Sequence, residues 1–255
     1  MHSAPYVRFV PLLFGAALSV LAMSAAFADD ALLVDRTGDG SIACLAFGDS
    51  ITFGIGGSDE GGGYPALLSS YVGVPVTNAG IPGERLLPEG VDRLPGAVAG
   101  SGADVVIVLE GSNDAPQVVS SESIKHGYQR AVNVIRTLGR QPVLGALLPT
   151  CCEHASLLPI VQSYGDVGRF VAAQNDIPVV DFYRAWMNTC GGAAECELFN
   201  IPEGLHPNDV GYEVMAQTAA AALLGIDIFS PGGAEALESA LGLLPGDVIV
   251  KPDPA

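Results

Sequence analysis

The 255-residue sequence predicts an α/β fold: one three-layer α/β/α sandwich with a parallel sheet of about five strands. Two observations carry this. Short apolar runs alternate with longer segments of helical period, the pattern of strand–helix–strand units. Gly and Pro, 50 residues together, fall between those runs rather than in one tract, so they mark turns and not a linker. Apolar residues make up 49 %, enough to fill one large core.

The elements follow in order. Ile42 to Phe47 is a short apolar run and reads as a buried strand, ended by Gly48-Asp49-Ser50. Gly54 to Gly63 is a loop with six glycines. Tyr64 to Tyr71, with Pro65 near its start, reads as a helix. Val74 to Thr77 is a second strand, and Asn78 to Gly83 is rich in turn residues. Leu86 to Val98 is helical but irregular, because it contains Pro88 and Pro95. Asp104 to Leu109 is the clearest strand, and Glu122 to Leu138 a long helix closed by Gly139. Gln141 to Leu148 is strand four, Leu157 to Gln174 a helix, and Pro178 to Asp181 strand five. Asn208 caps a last strong helix that runs to Leu224 and stops at Gly225. Gly233 to Leu243 forms one amphipathic helix, followed by a tail. The expected organisation is a leader over 1–28, a main domain over 29–230 and a C-terminal helix and tail over 231–255.

The first 28 residues have the layout of a signal peptide. Arg8 supplies the positive start, Phe9 to Met23 the apolar run, and Ala26-Phe27-Ala28 the small residues before a cut. The apolar run is shorter than the ~20 residues that span a bilayer. Cleavage would remove Arg8 and no acid, taking the net charge from −17 to −18. Such acidity argues for solubility outside the cell, periplasmic or extracellular, and against nucleic acid, since only 11 Lys and Arg are present. No stable membrane span is expected after cleavage, and the oligomeric state is not legible.

Export permits disulfides. Five cysteines leave at least one unpaired within the chain. Cys190 and Cys196 flank a short loop suited to a bridge, although Cys151 or Cys152 could instead reach either of them from the end of strand four. Cys44, inside strand one, reads as a buried free thiol. Metal-ligand spacing is lacking, so no metal and no cofactor is expected. Asp35-Arg-Thr37-Gly-Asp39-Gly40 looks like half a calcium loop, but its twelfth position is Ala46, and it reads as a turn.

In parallel sheets ligands bind at the carboxyl ends of the strands. Ser50, Asn78 to Gly83, Gly111 to Asp114 and the loop of His206 all fall there. A serine hydroxyl needs a base to become a nucleophile. The candidates past the leader are His126, on a polar helix; His154, on a loop; and His206. His206 stands out because Glu203 precedes it by three residues, within reach of an imidazole in a tight turn. Acyl transfer also needs donors for an oxyanion, and the N–H of Ser50, the N–H of Gly83 and the amide of Asn113 are available.

Together these segments resemble the SGNH, or GDSL, hydrolase family. Phe47-Gly-Asp-Ser50-Ile-Thr52 is similar to its first block, Asn78 to Gly83 to its second, Gly111 to Asp114 to its third, and Glu203 to Asn208 to its fifth. The resemblance implies a flavodoxin-like SGNH fold and a serine esterase with Ser50 as nucleophile, His206 as base, Glu203 as orienting acid, and Gly83 and Asn113 as oxyanion donors. Glu203 departs from the Asp usual there and is one methylene longer. Gly63 to Leu68 and Val108 to Asp114 look like arylesterase or lysophospholipase-type members. The expected partner is a small-molecule or polymer-borne ester. Two other readings compete: a phosphoryl or nucleotide protein, disfavoured by the absence of a Gly-Lys-Ser/Thr cradle, and a non-catalytic carbohydrate or surface-binding module, favoured only by Glu203.

Overall fold

The computed structural model describes residues 32–254. The leader expected over 1–28 lies outside the described residues. Five parallel strands form one sheet: β1 (Cys44–Gly48), β2 (Val76–Gly80), β3 (Val105–Leu109), β4 (Gln141–Gly145) and β5 (Val179–Val180), in the spatial order β2-β1-β3-β4-β5. Every residue of β1 and β3 is buried. A strand covered on both faces has no polar side to present, which is why these two read as unbroken apolar runs.

Helices cover the sheet. α1 (Ser50–Phe53) follows β1 at once, and α2 (Gly63–Val72) leads to β2. α3 (Val91–Ser101), α4 (Ser121–Thr137) and α5 (Leu158–Asn175) pack in series, α3 on α4 and α4 on α5. α6 (Phe182–Thr189) and α2 both pack on α7 (Asp209–Leu223). Ser120 caps α4 by accepting from the Ser123 N–H, and α4 buries Ile124, Tyr128, Val132 and Ile135, one face of a helix. Asn208 caps α7 by accepting from the Gly211 N–H. Small side chains at Ala216, Ala219, Ala220 and Ala221 let α7 lie buried in the core.

Three expectations are corrected. The helix expected over 86–98 is a tight turn, Leu86–Gly90, followed by α3 from Val91. Leu87 is extended because the ring of Pro88 excludes the helical region for the residue before it. Strand four stops at Gly145, not Leu148. α6 was not foreseen: eight residues wedged between a strand and the cysteine loop are too few for periodicity to show.

Residues 231–254 pack onto the domain. α8 (Gly233–Leu241) buries Leu237, and Val248 and Val250 join the core. Gln217 on α7 bonds the Asp247 carbonyl and the Ile249 N–H, and Asp253 pairs with Arg184. The expected disulfide Cys190–Cys196 is present, and Cys44 is a free, fully buried thiol whose burial pushes it up to about 12. No helix among the described residues is long and apolar enough to cross a membrane.

Candidate active site

The strand order places β1 between β2 and β3, so the connections from β1 and β3 leave in opposite directions and open a crevice at their carboxyl ends. Register then decides what lines it. Gly48 lies level with Gly80 on one side and Leu109 on the other. The next residues of all three strands meet at that point: Ser50 after β1, Ile81 to Gly83 after β2, and Glu110 to Asn113 after β3. Gly48 permits this crowding, since a Cβ there would lie 2.1 Å from Thr52 Oγ1 and 2.4 Å from the Leu109 carbonyl.

Asp49 turns the chain from strand to helix by accepting the Ile51 N–H at 2.9 Å, which presents Ser50 at the start of α1. From the far side of the sequence, His206 Nε2 lies 2.9 Å from Ser50 Oγ. His206 Nδ1 lies 2.6 Å from Glu203 Oε1. The other oxygen of Glu203 accepts the backbone N–H groups of Leu205 and His206, at 3.1 and 2.9 Å. Burial alone would raise the Glu203 carboxyl, but these N–H groups and the imidazole outweigh it and hold it below the ordinary range. The loop is held in turn by Asn200, whose amide reaches the carbonyls of Gly56, His206 and Pro207. The extra methylene of Glu203 is therefore accommodated, and no backbone carbonyl takes the acid's place at Nδ1.

The other two predicted residues sit beside this chain. Gly83 is in the left-handed region at φ +81°, a backbone that a side chain would strain. Its N–H and that of Ser50 have no hydrogen-bond partner among the described residues. Asn113 donates its amide to the Glu84 carbonyl at 2.8 Å and to Asp49 at a longer 3.3 Å. It thus joins the loops after β2 and β3 to the residue before the serine. The remaining histidines divide as their surroundings dictate. His126 is exposed next to Glu122. His154, on the loop after β4, has Nδ1 2.8 Å from the Glu203 carbonyl.

Sequence reasoning missed a cluster of buried acids beside the site, gripped by one arginine. Arg93 on α3 grips the Glu84 carboxylate with Nε at 2.8 and 3.0 Å, with a further contact from its Nη2, and lies over the ring of Phe47. Glu110 is fully buried, and neither of its oxygens has a donor among the described residues. Burial first, then the charge of Asp49 and a hydrogen bond to Glu84, raise it well above the carboxylate range. Neutral Glu110 has an O–H to donate to Glu84, which pairs one of its two oxygens and leaves the other without a donor among the described residues. Asp114 accepts the N–H groups of Leu86 and Leu87, and burial raises it as well. Burial likewise pushes Asp49 up to about 7. The available signal was an acid, Glu110, at the end of a wholly apolar strand run.

Among the described residues no group of three or more potential ligands is placed to hold a metal ion. What the arrangement offers is a hydroxyl, a base aimed at it and an acid aimed at the base, the parts of nucleophilic acyl transfer.

A profile of the GDSL-like lipase/acylhydrolase family matches residues 46–214. The chain belongs to the GDSL-like lipase/acylhydrolase family. The matched span begins inside β1 and ends inside α7, so it encloses the serine, the loops after β2 and β3, and the Glu203–His206 loop. Solved structures similar to it include the lipase/acylhydrolase from Enterococcus faecalis, 23 % identical over 72 % of this chain and 96 % of that one, with a TM-score of 0.63. A member of the lipolytic G-D-S-L family from Veillonella parvula is 22 % identical over 70 % and 96 %, at 0.60. An acetylxylan esterase from Geobacillus stearothermophilus, solved as a catalytic mutant, is 19 % identical over 74 % and 96 %, at 0.63. At these identities the likeness establishes the SGNH hydrolase fold. No curated protein matches the sequence.

Proposed function

We propose that this family member is an exported serine esterase that cleaves carboxylic esters through a covalent acyl-enzyme. The observation that carries the reading is the unbroken chain Ser50 Oγ, His206 Nε2 and Nδ1, Glu203 Oε1, with links of 2.9 and 2.6 Å.

His206 takes the Ser50 proton as Oγ attacks the ester carbonyl carbon. The imidazolium that forms faces the Glu203 carboxylate, which also keeps the other proton on Nδ1. The carbonyl oxygen becomes an oxyanion, met by the N–H groups of Ser50 and Gly83 and by the Asn113 amide. Asn113 is free for this because its bond to Asp49 is long, whereas its bond to Glu84 holds it in place. Collapse expels the alcohol, which takes the proton from His206. Water then repeats the sequence on the acyl-Ser50 ester and releases the acid. The departure at 203, which alone favoured a non-catalytic binding module, loses that weight because Glu203 reaches the imidazole.

The substrate partner is a small-molecule or polymer-borne ester. The fold shared with an acetylxylan esterase makes acetyl esters the first class to assay. Export rests on Arg8, the apolar run after it and Ala26-Phe27-Ala28. Protein secreted by its host should begin at Asp29 on N-terminal sequencing. A fluorophosphonate probe should label the wild type on Ser50 and leave Ser50→Ala unlabelled. Chromogenic acetate and butyrate should be hydrolysed by the first protein alone. Labelling that survives the substitution would remove Ser50 from its role.

A further inference from the structure

The segment after β4 carries two adjacent thiols, Cys151 and Cys152, for which ester cleavage has no use. Neither belongs to the Cys190–Cys196 bridge. Their sulfurs lie 2.7 Å apart. Cys152 has φ +55°, the left-handed region that a residue with a Cβ enters at a cost, and such backbone persists where its surroundings impose it.

The surroundings here are the loop of Glu203 and His206. The Cys151 N–H donates to the Gly204 carbonyl at 2.9 Å, and the Glu153 N–H to the Pro202 carbonyl at 3.2 Å. His154 meets the Glu203 carbonyl. Gly204 sits so closely on Cys151 that a Cβ would lie 2.5 Å from its carbonyl oxygen and 2.7 Å from its sulfur. Three successive residues of the acid-bearing loop are thus fastened to the cysteine segment.

We infer that Cys151 and Cys152 are a redox modification site, a reversible vicinal disulfide that braces the loop carrying Glu203 and His206. That this loop is catalytic rests on the reading above; the bond itself does not. The oxidant is a disulfide, either a protein dithiol oxidoreductase in its oxidised form or a small disulfide such as oxidised glutathione. Cys152, the more exposed of the pair, attacks one oxidant sulfur as a thiolate, and the other leaves as a thiolate. Cys151 then gives up its proton and attacks the Cys152 sulfur of the mixed disulfide, expelling the second oxidant thiolate. Two protein thiols become one disulfide, one oxidant disulfide becomes two thiols, and the two protons pass to the oxidant.

The order of attack follows from access: Cys151 is buried, which pushes its thiol up, whereas Cys152 is half-exposed and meets the oxidant first. Reversibility follows from adjacency. Neighbouring Cα atoms are ~3.8 Å apart, below the ~4.4 Å at which ordinary disulfides begin. A bond across that spacing stores strain and should be reduced at a more oxidising poise than the Cys190–Cys196 bridge.

The test equilibrates the whole exported protein in glutathione buffers of graded poise, followed by acid quench, alkylation and tryptic mapping. Cys151 and Cys152 share the peptide Gln141–Arg169, whereas Cys190 and Cys196 fall in the peptide that begins at Ala185. The first peptide should lose the mass of two hydrogens, uncrosslinked, and regain them under reducing conditions that leave the second oxidised. Hydrogen exchange then reads the brace. The amides of Cys151 and Glu153 should exchange roughly ten-fold more slowly in the oxidised form, about what fixing one residue's backbone is worth. Cys152→Ser should abolish the difference. A pair that stays dithiol at every poise, a crosslink to Cys190 or Cys196, or redox-independent exchange would each overturn the inference. None of these readouts uses ester hydrolysis, so an inactive Ser50–His206 pair would leave them standing.

Discussion

Replacing Glu203 by Gln tests how the site holds its base. The carboxylate does two jobs with two oxygens: Oε1 faces His206 Nδ1, and Oε2 accepts the N–H groups of Leu205 and His206. A Gln has one oxygen for both. Turning its NH2 toward the backbone would strand two N–H donors, at about 1–3 kcal/mol each, or roughly 2–6 kcal/mol together. The oxygen therefore stays with the backbone, and the NH2 faces His206. An N–H donor at Nδ1 forces the ring proton onto Nε2, the atom that accepts the Ser50 proton in the proposed mechanism. The variant should fold normally and yet lose about 10⁴ in kcat, and so in kcat/KM, the size of the loss when a triad histidine is held in the wrong tautomer. Glu203→Asp keeps the charge but not the reach. It can satisfy the backbone or the ring fully, not both, so about ten-fold should be lost, near one net hydrogen bond. The assay is kcat/KM on one chromogenic acetate, with the melting temperature and circular dichroism of each variant as fold controls. A folded Gln variant within about ten-fold of wild type would refute the reasoning and leave a Ser50–His206 dyad.

Asn113→Ala should lower kcat by about 10²–10³ with little change in KM, since an oxyanion donor acts in the transition state; an unchanged kcat in folded protein excludes it. Gly83→Ala adds a Cβ that meets no atom within 4 Å, so its cost is backbone strain alone, roughly 1–2 kcal/mol, seen as a lower urea midpoint at constant slope. Asp49 is raised to about 7 by burial, so the folded state keeps a proton that the unfolded chain releases near 4. Its contribution is complete below the unfolded value and is lost as pH rises to about 7, and the urea midpoint of wild type should fall more between pH 5 and 8 than that of Asp49→Asn. Equal falls would show Asp49 charged throughout. Native Cys44 should resist iodoacetamide, its thiol buried and raised to about 12, and react only on unfolding.

The order of elements, the parallel sheet and the candidate residues Ser50, Glu203 and His206 were legible in the sequence because each leaves a local mark. Buried parallel strands are continuous apolar runs, Asn208 is a helix cap before an apolar segment, and Glu203 stands three residues from His206 in one turn. Proline chemistry was visible at Pro88, but not that it would reduce an expected helix to a turn, because a flanking helix can start as well at Val91 as at Leu86. The Glu203–His206 geometry needed the fold, since it depends on two backbone N–H groups that only a specific turn presents. The same holds for contacts between residues far apart in the chain. Arg93 meeting Glu84, Glu110 facing Glu84 beneath the crevice, and Cys151 seated on Gly204 join segments that strand register and helix packing bring together. Periodicity tells which face of an element is buried, not which buried neighbour lies opposite, and the pairing of these acids with one another and with Arg93 depends wholly on the latter.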